Sequence, residues 1–433
     1  MERIFYNTMD IPVIAEAGVL VVGAGPGGLG AAVMAARSGA DTLLVERYGI
    51  PGGTPTLGEI TPFMPNHVQG RLLDRPVCVE WARRMSEYRS VKERQMWPWN
   101  EDSAVDHIDK NDAALAMEDL LLEAGVRLLY HHTLVDVIKN DDKIEAAVFH
   151  SKSGFCAIRA KVFIDSTGDG DLAALAGAVV EVGNEEGFCQ PMTTCFKLSG
   201  VDYSRMPSRK EINDIFNTAR QNGEVHCCRE NVLFFSTLED DVVHFNTTRV
   251  IQKSAISGVE LSEAELEGRK QLREFVRMLV EKVPGFENAR IRSIAHHIGV
   301  RESRRIRGKV YQTLEDFKNQ AKFPDGIARC NYCVDIHNPS GTGTTIINMP
   351  AGEYYEIRYG TLIPEGSANL LMGCRAISVE HALHSSTRVI APVCSVGQAA
   401  GVAAALCVQR GCRPEDLDGA EVRKYLKEAG AWL

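Results

Sequence analysis

The chain has 433 residues, of which 45% are hydrophobic and 24% charged, enough apolar material for a large core shared among two or three lobes. A formal charge of -9 argues against a nucleic-acid-binding face, no apolar run is expected to span a bilayer, and the opening MERIFYNTMD lacks the basic region and apolar core of an export signal. Twelve cysteines without regular spacing point to reduced thiols in the cytoplasm rather than a disulfide framework.

Residues 1–17 read as a lead-in. Val19 to Val22 form a short buried strand, followed by Gly23, Gly25 and Gly28 and by an alanine-rich helix that Gly39 stops. This is the spacing of a dinucleotide-binding turn. Gly23 permits the tight turn, Gly25 lets a pyrophosphate approach the backbone, and Gly28 brings the helix close to the strand. A second strand, Thr42 to Val45, ends on Glu46, about 20 residues beyond the turn, where a carboxylate can accept hydrogen bonds from a ribose. Gly52, Gly53 and Thr54 follow, either as a second close approach to a large cofactor or as an ordinary Pro-Gly-Gly turn.

Gly70 to Ser90 has Trp81 and Met85 on one helical face, and Met96-Trp97-Pro98-Trp99 reads as a satellite hydrophobic cluster. Asn111 to Ala124 is an amphipathic helix capped by Asn111 or Asp112 and ended by Gly125; Val126 to Tyr130 is a strand. Thr133–Lys139, Ile144–His150 and Phe155–Arg159 alternate like a small antiparallel meander. Val162 to Asp165 is another buried strand, running into Ser166-Thr167-Gly168-Asp169-Gly170-Asp171 and a short helix. Asp169 and Asp171 lack the further acidic ligands of a calcium loop, and no metal is expected there.

Residues 180–350 contain strand-like pieces at Val232–Phe235 and Val242–Thr247. They also hold a helix from Ser262 to Lys282, with Ser262 as cap and Glu265 completing a capping box. From 351 onward the α/β texture returns: a strand Ala368–Met372, the turn Gly373-Cys374-Arg375, and a small-residue helix Ser395–Arg410 whose start is a third ligand-facing N-terminus.

Taken together, GAGPGGLGAA with ERYGIPGGT, DSTGDGDLAALAGA, GVRESRRI, and MGCRAIS with STRVIAPVCSVGQAAG resemble the bacterial FAD-dependent oxidoreductase family of the two-dinucleotide-fold flavoproteins. The resemblance spans about Val19 to Ala405. It implies an α/β fold: a Rossmann-like FAD-binding domain of parallel sheet, helices and small meander, with an inserted, largely β substrate lobe. Residues 1–60, 105–180 and 351–433 would form the discontinuous FAD domain, and 61–104 with 181–350 the substrate or cap lobe. Gly23, Gly25 and Gly28 would hold the FAD pyrophosphate and Glu46, with Arg47 beside it, the adenosine ribose. Gly52, Gly53 and Thr54 would lie along the ribityl chain and flavin, and Val135 near the adenine. Thr167, Gly168 and Asp169 match the second flavin turn, and Gly373 and Arg375 the late Gly-Arg turn. Ser395, Val396, Gly397 and Gln398 would present a helix start to the flavin. The family's Gly-Ser before its late arginine is replaced here by Ser385-Ser386, ahead of Thr387 and Arg388.

Hydride transfer between a small polar metabolite and the flavin is the expected chemistry. Catalytic candidates are His381 and His384 as bases, and Arg301 and Arg388 as anion forks. Packed histidines and ion-paired surface arginines are the plain alternatives for these side chains. Cys330 and Cys333 have CxxC spacing without a second pair and read as free thiols. The absence of a second glycine fingerprint argues against a pyridine-nucleotide domain and leaves the electron acceptor open, as it leaves self-association. A fumarate-reductase-like enoate reductase and a non-catalytic FAD-binding or electron-transfer protein are the competing readings.

Overall fold

The computed structural model describes residues 10–61, 63, 64, 66–99 and 108–433; the start of the lead-in and the expected lobe boundary at 104/105 lie outside the described residues. Strand β1 (Val13–Val22) starts before the apolar run, with exposed residues first and buried residues from Ala17 onward. It feeds helix α1 (Pro26–Arg37), then β2 (Thr42–Val45), α2 (Val77–Tyr88), α3 (Lys110–Glu123), β3 (Arg127–Leu129), β4 (Thr133–Asn140), β5 (Lys143–Ser151), β6 (Gly154–Asp165) and α4 (Asp171–Leu175). The parallel order is β3-β2-β1-β6, and β6-β5-β4 continue it as an antiparallel meander.

The stretches expected as separate strands at Phe155–Arg159 and Val162–Asp165 are one strand, β6. Along one edge it pairs with β1 from Ala157 to Asp165. Along the other it pairs first with β5, at Gly154 to Arg159, and then at Phe163 to Asp165 with a strand from the far end of the chain. The exposed Arg159 and Lys161, which interrupt the apolar pattern, mark the place where the strand changes partner.

The second lobe has its own sheet and core. Strands β7 (Phe196–Ser199), β8 (Phe234–Ser236), β9 (Val243–Phe245) and β10 (Arg290–Ile294) form an antiparallel sheet in the order β8-β9-β7-β10. Helices α5 (Arg209–Gln221) and α6 (Gly258–Lys282) cover it. Stacked phenylalanines fill the interface, Phe196 on Phe245 at 4.9 Å and Phe216 on Phe275 at 5.3 Å between ring centres. Helix α5 has no counterpart among the sequence expectations, because only Ile212, Phe216 and Ala219 are buried on it, too narrow a stripe beside its charges. Its start carries a capping box between Ser208 and Glu211.

Helix α6 begins a turn before Ser262. Ser257 is the cap and accepts from the Glu260 N–H at 3.4 Å, while Glu265 is turned outward to the Ile298 N–H at 2.6 Å. The independent core is narrower than the expected lobe: it is drawn from residues 196–289. Helix α2, with Val77, Cys78, Trp81 and Met85, packs into the same core as α1 and the parallel sheet, as do Ile306, Phe317, Ile327 and Tyr355. Residues from both 61–104 and 181–350 thus pack into the same core as the parallel sheet.

The chain returns through β11 (Leu370–Met372), the partner of β6, then α7 (His381–Thr387) and α8 (Ile390–Arg410). Helix α8 starts more than a turn before the expected Ser395. It is long and apolar enough to cross a bilayer, which corrects the expectation that no apolar run reaches that length; here 94% of its most apolar stretch is buried inside the fold. It lies against α1 at backbone contact: a Cβ on Gly397 would sit 2.0 Å from the Gly27 carbonyl oxygen, and one on Gly30 2.2 Å from that of Cys394.

Candidate functional site

The first turn is built by backbone closure. The Gly23 N–H donates to the Val45 carbonyl at 2.8 Å, joining the ends of β1 and β2. Gly23 adopts φ +103, and a Cβ there would meet the Ser166 carbonyl oxygen at 2.4 Å. A Cβ on Gly28 would meet the Gly23 carbonyl at 2.0 Å. Gly25, the cap of α1, is different: the space where its Cβ would stand holds nothing within 4 Å. Pro26 follows as the first helical residue, where its missing N–H costs nothing, and the unpaired N–H groups of the first turn give this end its partial positive charge.

Glu46 is held at the end of β2 with its Oε2 accepting from the Ala24 N–H at 2.8 Å and its Oε1 from the Tyr48 N–H at 3.0 Å. Each carboxylate oxygen retains a further lone pair for a ligand hydroxyl. The loop after it folds back onto the first turn: the Gly52 N–H donates to the Ala24 carbonyl at 2.7 Å, and a Cβ on Gly53 would stand 3.2 Å from the Gly25 Cα.

The second turn is organised by Asp165, a residue whose role the sequence reading passed over. Its carboxylate accepts from the Thr167 N–H at 3.0 Å, the Thr167 hydroxyl at 2.7 Å and the Ala173 N–H at 2.9 Å. Burial pushes its pKa up to about 6 in spite of these donors. Ser166 then ties this turn to the third one, donating from Oγ to the Gly373 carbonyl at 3.0 Å. Asp169 accepts from Ser303 Oγ at 2.6 Å and is ion-paired with Arg375. Arg304 bonds Asp171 at 2.7 Å. The acids of the Asp-Gly-Asp run are thus engaged by arginines, and among the described residues no three His, Cys, Asp or Glu side chains converge in a metal-binding group.

These turns share one cleft of about 320 Å³. Gly23, Gly25, Pro26 and Gly27 form its floor; Glu46, Arg47, Tyr48 and His132–Leu134 line one end. Thr167, Gly168, Asp169, Arg375, Arg388, Ile390 and Val393 line the other. Gly53 and Thr54 lie beside the floor, and the second lobe closes over it with Ile256, Leu261, His297 and Val300. The His297 and Tyr48 rings stack at 5.7 Å across this junction. Burial lowers the His297 pKa, favouring the neutral ring.

Several expected site residues stand elsewhere. Val135 is 37% exposed and outside the cleft lining; His132, Thr133 and Leu134, just before it, take that place. Gly28, Gly52 and Gly373 shape turns without lining the cleft. Ser395 to Gln398 are buried inside α8 and join it to α2: Ser395 Oγ donates to Asp74 Oδ1 at 2.7 Å, and Gln398 Oε1 accepts from the Val77 N–H at 2.8 Å. The helix start that faces the cleft belongs to Ile390 and Val393.

Of the catalytic candidates, Arg388 lines the cleft. His384 is fully buried with neither ring nitrogen partnered, and burial holds it neutral. His381 Nδ1 lies 2.8 Å from Glu302 Oε1, the oxygen that also takes Arg305. Arg301 donates to the Pro191 carbonyl at 2.6 Å, away from the cleft lining. Cys330 hydrogen-bonds to Ser386, and all twelve cysteines are free.

A family model described as FAD dependent oxidoreductase matches residues 18–426. Among curated proteins, the digeranylgeranylglycerophospholipid reductases of Thermoplasma volcanium and Thermoplasma acidophilum are 30% and 29% identical over 169 residues, covering 35% of this chain. The match spans 39% of the length of each of those relatives. Among solved structures, a geranylgeranyl bacteriochlorophyll reductase-like protein from Thermoplasma acidophilum is 13% identical, with 96% of this chain and 84% of that chain covered and a TM-score of 0.46. The p-nitrophenol 4-monooxygenase PnpA from Pseudomonas putida DLL-E4 is 12% identical, covering 96% and 87%, with a TM-score of 0.48.

Proposed function

The chain belongs to the FAD dependent oxidoreductase family, and on that premise we propose that it passes a hydride between a carbon of a small polar metabolite and FAD held in the cleft. The flavin, when bound, supplies the two-electron redox chemistry. The observation that carries the reading is that three turns far apart in sequence surround one cleft and are fastened to one another, Gly23 against Ser166 and Ser166 to Gly373.

The residues fit the cofactor part by part. The open space at Gly25, under the N-terminus of α1, suits a pyrophosphate, and the fixed carboxylate of Glu46 suits the hydroxyls of the adenosine ribose. Thr167 to Asp169 with Arg375 frame the other half, where the start of α8 favours negative charge on a reduced ring. The second lobe would turn the apolar side chains of Ile256, Leu261 and Val300 toward the cofactor, disfavouring water there. Free cysteines, Cys78, Cys156 and Cys195 among them, support a reducing, cytoplasmic setting.

The test is the visible spectrum of the purified protein before and after denaturation. Bands near roughly 370 and 450 nm, with FAD in the denatured supernatant, are expected. A colourless protein that neither binds added FAD nor is stabilised by it would overturn the reading. Anaerobic bleaching then ranks candidate metabolites.

A further inference from the structure

Arg388 lines the cleft; it, Arg301 and Arg229 are close enough for Arg301 to feel both of the others, and among the described residues none of the three has a carboxylate in ion-pair contact. Arg301 is 7% exposed; beyond its bond to Pro191 it reaches Asn246 Oδ1 at 3.5 Å. Arg229 is 4% exposed; its Nε donates to Asn231 Oδ1 at 3.2 Å, and its buried Nη1 has no partner. Arg388 bonds through Nη2 to Gln190 Oε1 at 3.3 Å and the Asp335 carbonyl at 3.4 Å, and its Nε has no partner. Gln190 is itself buried, spends its carbonyl on Arg388 and leaves Nε2 unpaired.

The neighbouring groups do not cancel this positive charge. Arg249 is buried too, but it is paired with Glu230 at 3.2 Å. Asp335 is the carboxylate that acts on Arg301 and Arg388, while Arg229 feels Glu230 more strongly than Asp335. Burial pushes the Asp335 pKa up, but the hydrogen bond with His337 and the guanidiniums of Arg388 and Arg301 outweigh that and hold it ionised. His337 is neutral, its pKa pushed down to about 3 by burial and by Arg301. Its bonds agree: Nδ1 accepts from Arg249 at 3.1 Å, so Nε2 carries the proton that faces Asp335. An arginine does not shed its proton to escape burial, and buried donors without acceptors are rare unless water or a ligand completes them.

We propose that Arg229, Arg301, Arg388 and the Gln190 amide bind the carboxylates of a small organic dicarboxylate, the substrate of the flavin chemistry. Four guanidiniums, Arg249 included, against the carboxylates of Glu230 and Asp335 leave a surplus of two positive charges that a dianion neutralises, and planar forks suit carboxylate oxygens. Arg388 also lines the cofactor cleft beside Ile390, so an acid held here has its carbon skeleton next to the flavin end. This inference rests on the reading of the cleft as an FAD site.

The test is calorimetric titration of the FAD-loaded protein with succinate, its neutral isostere succinamide, and inorganic phosphate, with the flavin difference spectrum followed in parallel. Succinate is expected to bind, succinamide at least 100-fold more weakly, and phosphate more weakly than succinate. Arg229→Gln and Arg301→Lys are expected to weaken succinate at least tenfold with unchanged FAD content. Arg229→Gln is also expected to raise the ligand-free Tm, because it removes a buried unpaired cation; a purely structural arginine would lower it. Equal binding of succinate and succinamide, unchanged succinate affinity in both variants, or tighter binding of phosphate would overturn the assignment. Protein without FAD that still binds succinate through these arginines would separate failure of the cofactor reading from failure of this one.

Discussion

The floor of the cleft and the arginine cluster beside it are adjacent but are made of different material. The floor is main chain: Gly23, Gly25 and Gly27 at strand and helix ends, fixed by backbone hydrogen bonds and by helices in contact at Gly27 and Gly397. The cluster is made by side chains from separate segments: Arg388 reaches Gln190 and the Asp335 carbonyl, Arg301 reaches the Pro191 carbonyl, and the charge of Arg229 acts on Arg301. A backbone site is specified by which residues are absent, since any Cβ blocks it. A side-chain site is specified by what the fold brings together.

The largest effect that would break this comparison is at the helix crossing. Gly397→Val puts a Cβ 2.0 Å from the Gly27 carbonyl, which cannot yield without moving α1. We expect a loss of more than about 4 kcal/mol and little folded protein, read by urea unfolding. Native stability in that variant would mean the two helices do not touch. Next comes Gly25→Val. Nothing stands within 4 Å of the new Cβ, so stability should fall by only about 1 kcal/mol, the cost of valine in place of glycine at a helix cap. FAD affinity should fall roughly 100-fold, near 3 kcal/mol, because the side chain enters the cleft. Full flavin occupancy would remove Gly25 from the pyrophosphate site.

The smallest effect contrasts two ways of living with a buried charge. Arg229 cannot neutralise itself, but Asp74 can. Burial raises the Asp74 pKa to about 7, against the hydrogen bonds from Ser395 and Asn66 that lower it. A carboxyl raised in the folded state gives stability that is full below its ordinary value of 3.8 and is lost as pH rises through 7. Going from pH 6 to pH 8 should therefore cost about 1 kcal/mol in urea melts, and Asp74→Asn should flatten that slope. An unchanged slope in the variant would assign the titration to another group.

The difference in material also explains what could be read from the sequence. The first glycine turn and Glu46 are legible because their chemistry is local: one strand, one turn, one helix and an acid at the next strand end. The start of α8 lies ahead of the small-residue stretch that begins at Ser395, and Pro392 falls in its first turn, where proline needs no N–H partner. The α6 cap was misplaced because Ser257-Gly258-Val259-Glu260 and Ser262-Glu263-Ala264-Glu265 both have capping-box spacing. The choice was made by the Ile298 N–H, which draws Glu265 away. Among the arginines, GVRESRRI was visible as a charged run, but it sends Arg301, Arg304 and Arg305 to different partners. Arg229 and Gln190 carried no signal at all, since nothing in their neighbourhoods along the chain distinguishes them from surface residues.

The pairing of β6 with β11, and of α1 with α8, has a consequence for how the protein is made. Ribosomes deliver α1 long before α8, with the whole second lobe between them. Helix α1, whose residues Pro26 to Ala35 are all buried in the finished fold, therefore emerges long before the surface that covers it. The second lobe, with its separate phenylalanine core, can settle on its own schedule, while the cofactor domain stays open until α8 has been made. The nascent chain is therefore exposed to chaperones and to aggregation throughout the interval between α1 and α8, and a ribosome that stalls before α8 releases a protein with an assembled lid over an unfinished floor.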